Sequence, residues 1–251
     1  MISLKIYKSR YQIIRQIMFI IKKKLDLIFY KFSENNKDLK NLINDGYIHL
    51  ENQVPLDFLK EIEKKYHKFN DNDEEVVRQV DLEEEDLERL HKLLFKNNII
   101  SLIKSYLGRS VYTFQNVYHF LTNKKSNDSS WQPHHDTKFN RLKIYIWISN
   151  NTKNTHPIFY LKKSHLHIKT WLINQDTRYP ENKKPLDEVF GKPGDIIIFD
   201  SHGIHSNFKN SIEPRKTIVL TFESVSLFSR INPFTKKGKN IIKELKAKKI
   251  S

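Results

Sequence analysis

The chain has 251 residues, 38% of them apolar, enough for one domain with a real core plus appendages. It contains no cysteine, which excludes disulfides and thiolate metal sites and leaves imidazole and carboxylate as metal ligands. The net charge of +15 suggests nucleic acid until it is placed: residues 1–31 hold eight Lys/Arg against one acid, residues 236–251 hold seven Lys against one Glu, and residues 32–235 carry only +2.

The body is therefore not a basic groove, and no specific nucleic-acid partner is expected. Residues 1–31 read as a basic amphipathic helix, with Ile13, Ile14, Ile17, Ile20, Ile21, Leu27 and Ile28 on one broad side. Its longest apolar run, Ile17 to Ile21, is far short of the roughly 20 residues a spanning helix needs. Two readings stay open: peripheral docking on an anionic membrane, helped by the basic 236–251 tail, or packing on the domain or on a partner copy. The lack of cystine fits a reducing, cytoplasmic setting.

Between these ends, residues 32–235 form the main domain. Asp38–Asn44 is predicted as a short helix ended by Asp45-Gly46, and Tyr47–Leu50 as a strand. Pro55–Phe69 is a helix with proline at its start, where a missing N–H costs nothing. Glu83–Tyr106 is one or two helices closed by Gly108, with its acidic run at a helix N-terminus. From Ser110 onward the pattern turns to strands. Val111–Thr122 is aromatic and β-branched, and the polar stretch 123–130 is a flap candidate. Leu142–Ser149 alternates, with Leu142, Ile144, Ile146 and Ile148 on one face and Lys143, Tyr145, Trp147 and Ser149 on the other, as in a barrel wall facing a cavity. Ile158–Leu161 is another strand, His165–Asn174 a short helix, and 175–185 an exposed excursion. Lys192-Pro193-Gly194 turns into the buried strand Asp195–Phe199, and Arg215–Phe222 completes the set. Helices first and strands afterwards give an α+β fold whose strands make a sandwich or barrel.

The chemistry is concentrated in two stretches, WQPHHDTKF at 131–139 and GDIIIFDSHGIHSNFKNSIEPRKTIVLTF at 194–222. In extended chain the side chains of His134 and Asp136 project to the same side, so an imidazole and a carboxylate can meet one metal ion. The H-x-D is weak by itself; its place after a turn and before an alternating strand gives it weight. A distal histidine follows the apolar strand. His202 and His205 compete for that place, with His205 favoured by lying just beyond the strand end, ten residues before Arg215 on what is expected to be the adjacent antiparallel strand. Two histidines, one carboxylate and open positions suit non-haem Fe(II), and a guanidinium fork suits a carboxylate.

These residues, with IYIWIS at 144–149, FYLKKSH at 159–165 and DGYIHL at 45–50, resemble the phytanoyl-CoA dioxygenase family of Fe(II)/2-oxoglutarate oxygenases over about residues 39–224. The resemblance implies a double-stranded β-helix, a jelly-roll of the cupin-like kind, with the N-terminal helices packed on one sheet. It implies iron held by His134, Asp136 and His205, 2-oxoglutarate and O2 as co-substrates, and Arg215 on the distal carboxylate of the 2-oxo acid. It also implies co-substrate contacts from Trp147, Tyr118, Phe120 and His135. The expected activity is hydroxylation of an unactivated C–H bond, the alternative being an idle binding member of the fold. Two departures stand out: His156-Pro157 replaces the family's glycine-proline turn, and Lys162-Lys163-Ser164-His165 replaces its Pro-Gly-Ser-His. Both fall on loops at the site's mouth, where they bear on substrate rather than chemistry.

Overall fold

In the computed structural model the described residues are 17–18, 21, 37–68, 77–108, 111–121, 133–136, 141–166, 186–207, 213–224, 236–244 and 246–250. Most of the predicted N-terminal helix, the 123–130 flap, the 175–185 excursion and residues 167–174 of the predicted short helix lie outside them. Among the described residues no helix is long and apolar enough to cross a membrane.

Four helices precede the main run of strands: α1 Lys37–Asp45, α2 Leu56–Tyr66, α3 Glu84–Lys96 and α4 Ile99–Leu107. Pro55 caps α2 from extended backbone, and Asn98 at φ 60° separates α3 from α4, so the expected single-or-double helix is two. The strands are β1 Tyr47–Leu50, β2 Val77–Asp81, β3 Val111–Leu121, β4 Arg141–Trp147, β5 Ile158–Tyr160, β6 Asp187–Val189, β7 Ile196–Asp200, β8 His205–Asn207 and β9 Arg215–Ser224. A last helix α5, Lys236–Glu244, leads to β10, Lys248–Lys249.

The strands make two antiparallel sheets. The larger runs β1-β7-β4-β9-β3, and the outer edge of β3 is shared by β2 and β10. A bulge between Phe114 and Val117 divides those two pairings, with Gln115 at φ 51°. The smaller sheet is β6-β5-β8. One face of the large sheet carries the helices: Leu142, Ile144 and Ile146 of β4, with Ile196, Ile198, Ile218, Leu220 and Phe222, pack against Leu39, Leu42, Phe58, Ile62, Leu90 and Ile103. Between the two sheets lies a second cluster of Trp147, Ile158, Tyr160, Val189, Ile197 and Phe199. The alternation of β4 thus divides helix-facing aliphatics from cavity-facing Lys143 and Tyr145, as a period of two requires.

The 236–251 segment, expected as a tail, is joined to this body. Lys248 and Lys249 pair with Thr113 and Tyr112, and Ile250 donates its N–H to the Val111 carbonyl at 2.9 Å while its side chain is buried.

Candidate metal and co-substrate site

Three main-chain hydrogen bonds bring the two chemical stretches together. His134 and His205 exchange N–H···O bonds, each of 2.9 Å, and the N–H of Asp136 donates to the Ser201 carbonyl at 3.0 Å. Alternation then sends the side chains of His134 and Asp136 to one side. Nε2 of His134 lies 3.4 Å and Nε2 of His205 3.5 Å from Oδ1 of Asp136, and one ligand atom from each falls within 4.8 Å of the others. Bonds of about 2.1 Å at right angles would set neighbouring donors roughly 3 Å apart, so the three fit a divalent ion with little movement. The Nδ1 of His205 lies 2.8 Å from the Gly203 carbonyl. A carbonyl only accepts, so the proton sits on Nδ1 and the Nε2 lone pair is left for a metal. Burial opposes ionisation of Asp136, but the Lys143 charge beside it outweighs this and holds its pKa well below the usual carboxylate range.

His202 is turned to another task. Its Nδ1 and N–H both meet Oδ1 of Asp200 at 2.9 Å, whose Oδ2 accepts from the Tyr106 hydroxyl at 2.5 Å and whose carbonyl accepts from the Tyr160 hydroxyl at 2.9 Å. Gly203 and Gly46 flank that Tyr160 hydroxyl: a Cβ added at 203 would lie 1.8 Å from it, and one at 46 would lie 2.5 Å away. The loop bearing His205 is also tied down by Ser164, whose Oγ accepts from Ile204 N–H at 2.8 Å.

A cavity of about 160 Å³ opens over the triad, lined by His134, Asp136 and His205 with Gln79, His119, Lys143, Tyr145, Phe199 and Asn207 among others. Arg215, fully buried, stands behind its wall. Its Nη2 donates to Asn207 Oδ1 at 3.0 Å, Nη1 donates to the His156 carbonyl at 2.7 Å, and its Cζ lies 5.4 Å from the Tyr145 ring centre. Among the described residues no carboxylate pairs with it. Burial pushes its pKa down to about 10, which leaves it charged at neutral pH. Burial also drives the His119 imidazole down to about 3, with the charges of Arg215 and Lys143 adding to the effect, so it faces the cavity neutral.

Several expected positions differ. His205 and Arg215 do not lie on adjacent paired strands: β8 belongs to the small sheet and β9 to the large one, and Arg215 reaches β8 through Asn207. Tyr118 and Phe120 point away from the cavity into the helix side, where Tyr118 stacks on Tyr66 at 6.3 Å and Phe120 tilts on His67 at 5.0 Å. The reason is register. Leu121 pairs with Arg215 and His119 with Thr217, and directly paired residues share a face, so the odd positions face inward. Trp147 is buried beyond the cavity, edge-on to His49 and packed against Gly191. His135 is buried and does not line the cavity. Sequence reasoning placed Lys143 and Tyr145 on the correct face but missed His119, Gln79 and Asn207, for which only strand parity could have given a signal.

Neither a family model nor a curated protein matches the sequence. Solved structures do. The epimerase SnoN of nogalamycin biosynthesis, described as non-haem and α-ketoglutarate-dependent, superposes with a TM-score of 0.55 at 18% identity, covering 74% of this chain and 81% of SnoN. HygX from Streptomyces hygroscopicus, solved with nickel and 2-oxoglutarate, gives 0.56 at 11% identity over 78% of this chain and 89% of HygX. The chain has the double-stranded β-helix of these enzymes. Within that fold the triad comes from the start of the second half of the chain and from the first residue of β8, with Arg215 opening β9.

Proposed function

We propose that this chain is an Fe(II)/2-oxoglutarate-dependent oxygenase of the phytanoyl-CoA dioxygenase-like kind, hydroxylating an unactivated C–H bond of a small-molecule or lipid- or glycan-linked substrate. The observation that carries the reading is the convergence of His134, Asp136 and His205 on one cavity, beside a buried guanidinium that pairs with no carboxylate among the described residues. His134, Asp136 and His205 hold the iron, and Arg215 receives the distal carboxylate of the 2-oxo acid. When bound, iron and 2-oxoglutarate supply the oxidation: the 2-oxo acid and O2 give succinate and CO2, and the substrate C–H becomes C–OH. The residues of the chain bind, orient and keep water out. Asn207 and the His156 carbonyl fix the plane of the Arg215 fork, and Phe199 and Ile158 present apolar wall. A small-molecule substrate is supported by SnoN, solved with Fe3+, α-ketoglutarate and nogalamycin RO, and by HygX, solved with hygromycin B.

The test is anaerobic addition of Fe(II) and 2-oxoglutarate to the purified chain. A metal-to-ligand charge-transfer band is expected, followed in air by succinate release that is lost in His134→Ala and Asp136→Ala. A chain with no band is not this enzyme, and one that shows the band but releases no succinate in air is an idle binder of the same fold.

A second reading concerns the basic N-terminal segment. Ile17, Met18 and Ile21 are 36%, 61% and 45% exposed, which favours their use on a partner or an anionic lipid surface. Part of the C-terminal charge is engaged within the fold, since Lys246 pairs with Asp81 at 3.6 Å and Lys248 pairs with Glu84. Flotation with phosphatidylserine vesicles should therefore depend on residues 1–31 more than on 236–251; equal flotation without residues 1–31 would discard the reading.

A further inference from the structure

The carboxylate of Asp136 is divided between two sets of groups. Oδ1 faces the two histidine Nε2 atoms, at 3.4 and 3.5 Å, whereas Oδ2 faces Nζ of Lys143 at 2.5 Å. That lysine is delivered by the inward parity of β4, two residues from Tyr145, and lines the same cavity. Among the described residues it pairs with no other acid.

An ammonium beside a divalent-cation site is costly by Coulomb's law, so its presence needs a reason. Carboxylates bind metal ions through one oxygen or through both. A two-oxygen grip by Asp136 would fill a coordination position that a chelating 2-oxo acid needs. The close ion pair with the Lys143 ammonium opposes that grip, because a cation already sits against Oδ2 and holds the carboxylate with Oδ1 toward the histidines.

We propose that Lys143 is a positioning residue that restricts Asp136 to one-oxygen ligation and so keeps the adjoining coordination positions open for the 2-oxo acid. The inference rests on the reading of His134, Asp136 and His205 as the iron ligands. It assigns Lys143 no contact with the reacting atoms. Its removal should leave metal binding intact and weaken the co-substrate.

The experiment uses the full chain with Co(II) as the metal probe. Calorimetry measures Co(II) affinity, and the ligand-field spectrum of the Co(II) form follows 2-oxoglutarate addition, for the wild type, Lys143→Met and Lys143→Arg. Lys143→Met is expected to bind Co(II) at least as tightly as the wild type, yet to bind 2-oxoglutarate roughly tenfold or more weakly, the scale seen when outer partners of metal ligands are removed. Lys143→Arg, which keeps a cation beside Oδ2, should restore most of that affinity. Thermal melts establish that each variant is folded, and Lys143→Ala is read in the same way should the methionine variant not fold. A folded Lys143→Met that binds 2-oxoglutarate like the wild type overturns the inference and leaves the oxygenase reading standing. One that loses Co(II) also overturns it, since the lysine would then be holding the site together rather than restricting it. A wild-type chain that binds no Co(II) removes the metal site and this inference together.

Discussion

The guanidinium of Arg215 donates to the carbonyl of His156 at 2.7 Å, and His156 presents that carbonyl from a left-handed backbone at φ 40°. The second fork nitrogen is taken up by Asn207 at 3.0 Å, while Nε has no hydrogen-bond partner among the described residues. Arg215→Lys keeps the charge but loses the planar fork. With charge-assisted hydrogen bonds worth about 1.5–3 kcal/mol, the substitution should weaken 2-oxoglutarate roughly 10- to 100-fold. An anaerobic titration of the Fe(II) form measures this directly, and metal affinity should not change.

The two candidate distal histidines separate cleanly by substitution. His205→Ala removes a proposed ligand, so Co(II) should no longer raise the melting temperature. His202→Ala should leave metal affinity within about twofold and cost stability instead, on the order of 1–2 kcal/mol for the lost bond to buried Asp200. Calorimetric metal titration beside chemical denaturation decides between them. Tight metal binding by His205→Ala would contradict the assignment.

Gly203 has no room to vary. An added Cβ would meet the Tyr160 hydroxyl at 1.8 Å and its ring carbon at 2.2 Å, and that ring is fully buried. Gly203→Ala must displace Tyr160 and break its bond to Asp200. An overpacked core of this kind costs about 1–3 kcal/mol, read as a lower denaturation midpoint at unchanged m-value.

What could be read from the sequence follows from how local each feature is. The alternation of 142–149 and the H-x-D spacing are properties of a few neighbouring residues, so both the barrel wall and the shared direction of His134 and Asp136, two of the three side chains of the candidate triad, were legible. The inward face of β3 was not, because every residue from Val117 to Leu121 is buried and the sequence VYHFL shows no clean alternation; only pairing with β9 fixes its parity. β2, with the sequence VRQVD, and the two-residue β10 are held by backbone pairing along the β3 edge, which leaves no hydrophobic period to detect. The jump of the chain between sheets after β7 is likewise a matter of global closure rather than local pattern.

Asp86 gives a pH dependence with a definite sign. It is buried at the start of α3 and accepts from the Tyr66 hydroxyl and the Lys65 ammonium of α2, each at 2.7 Å. Burial alone would raise its pKa, but those two bonds prevail and lower it from 3.8. A folded-state value below the unfolded one contributes stability that is full above the unfolded pKa and is lost as pH falls through the folded one. Asp86→Asn should therefore be less stable near neutrality and show a flatter fall in denaturation midpoint below about pH 4. Equal slopes for the two proteins in urea titrations between neutral and acidic pH would show that the bond carries no such linkage.

Lys163 stands where the resembled family has glycine, and its backbone is left-handed at φ 65° in the turn before Ser164. The turn is anchored on both sides: Ser164 Oγ donates to the Leu161 carbonyl at 2.6 Å, and Nε2 of His165 lies 3.0 Å from the Ile43 carbonyl. A side chain in that region costs about 1–2 kcal/mol, whereas glycine gives back about 0.5–1 through the unfolded chain's freedom. Lys163→Gly should accordingly raise stability by up to about 1 kcal/mol without moving the triad. The exposed side chain makes the substitution clean, since no buried contact is removed with it. A loss of stability in Lys163→Gly would mean that the lysine contributes more to the turn than its backbone strain costs.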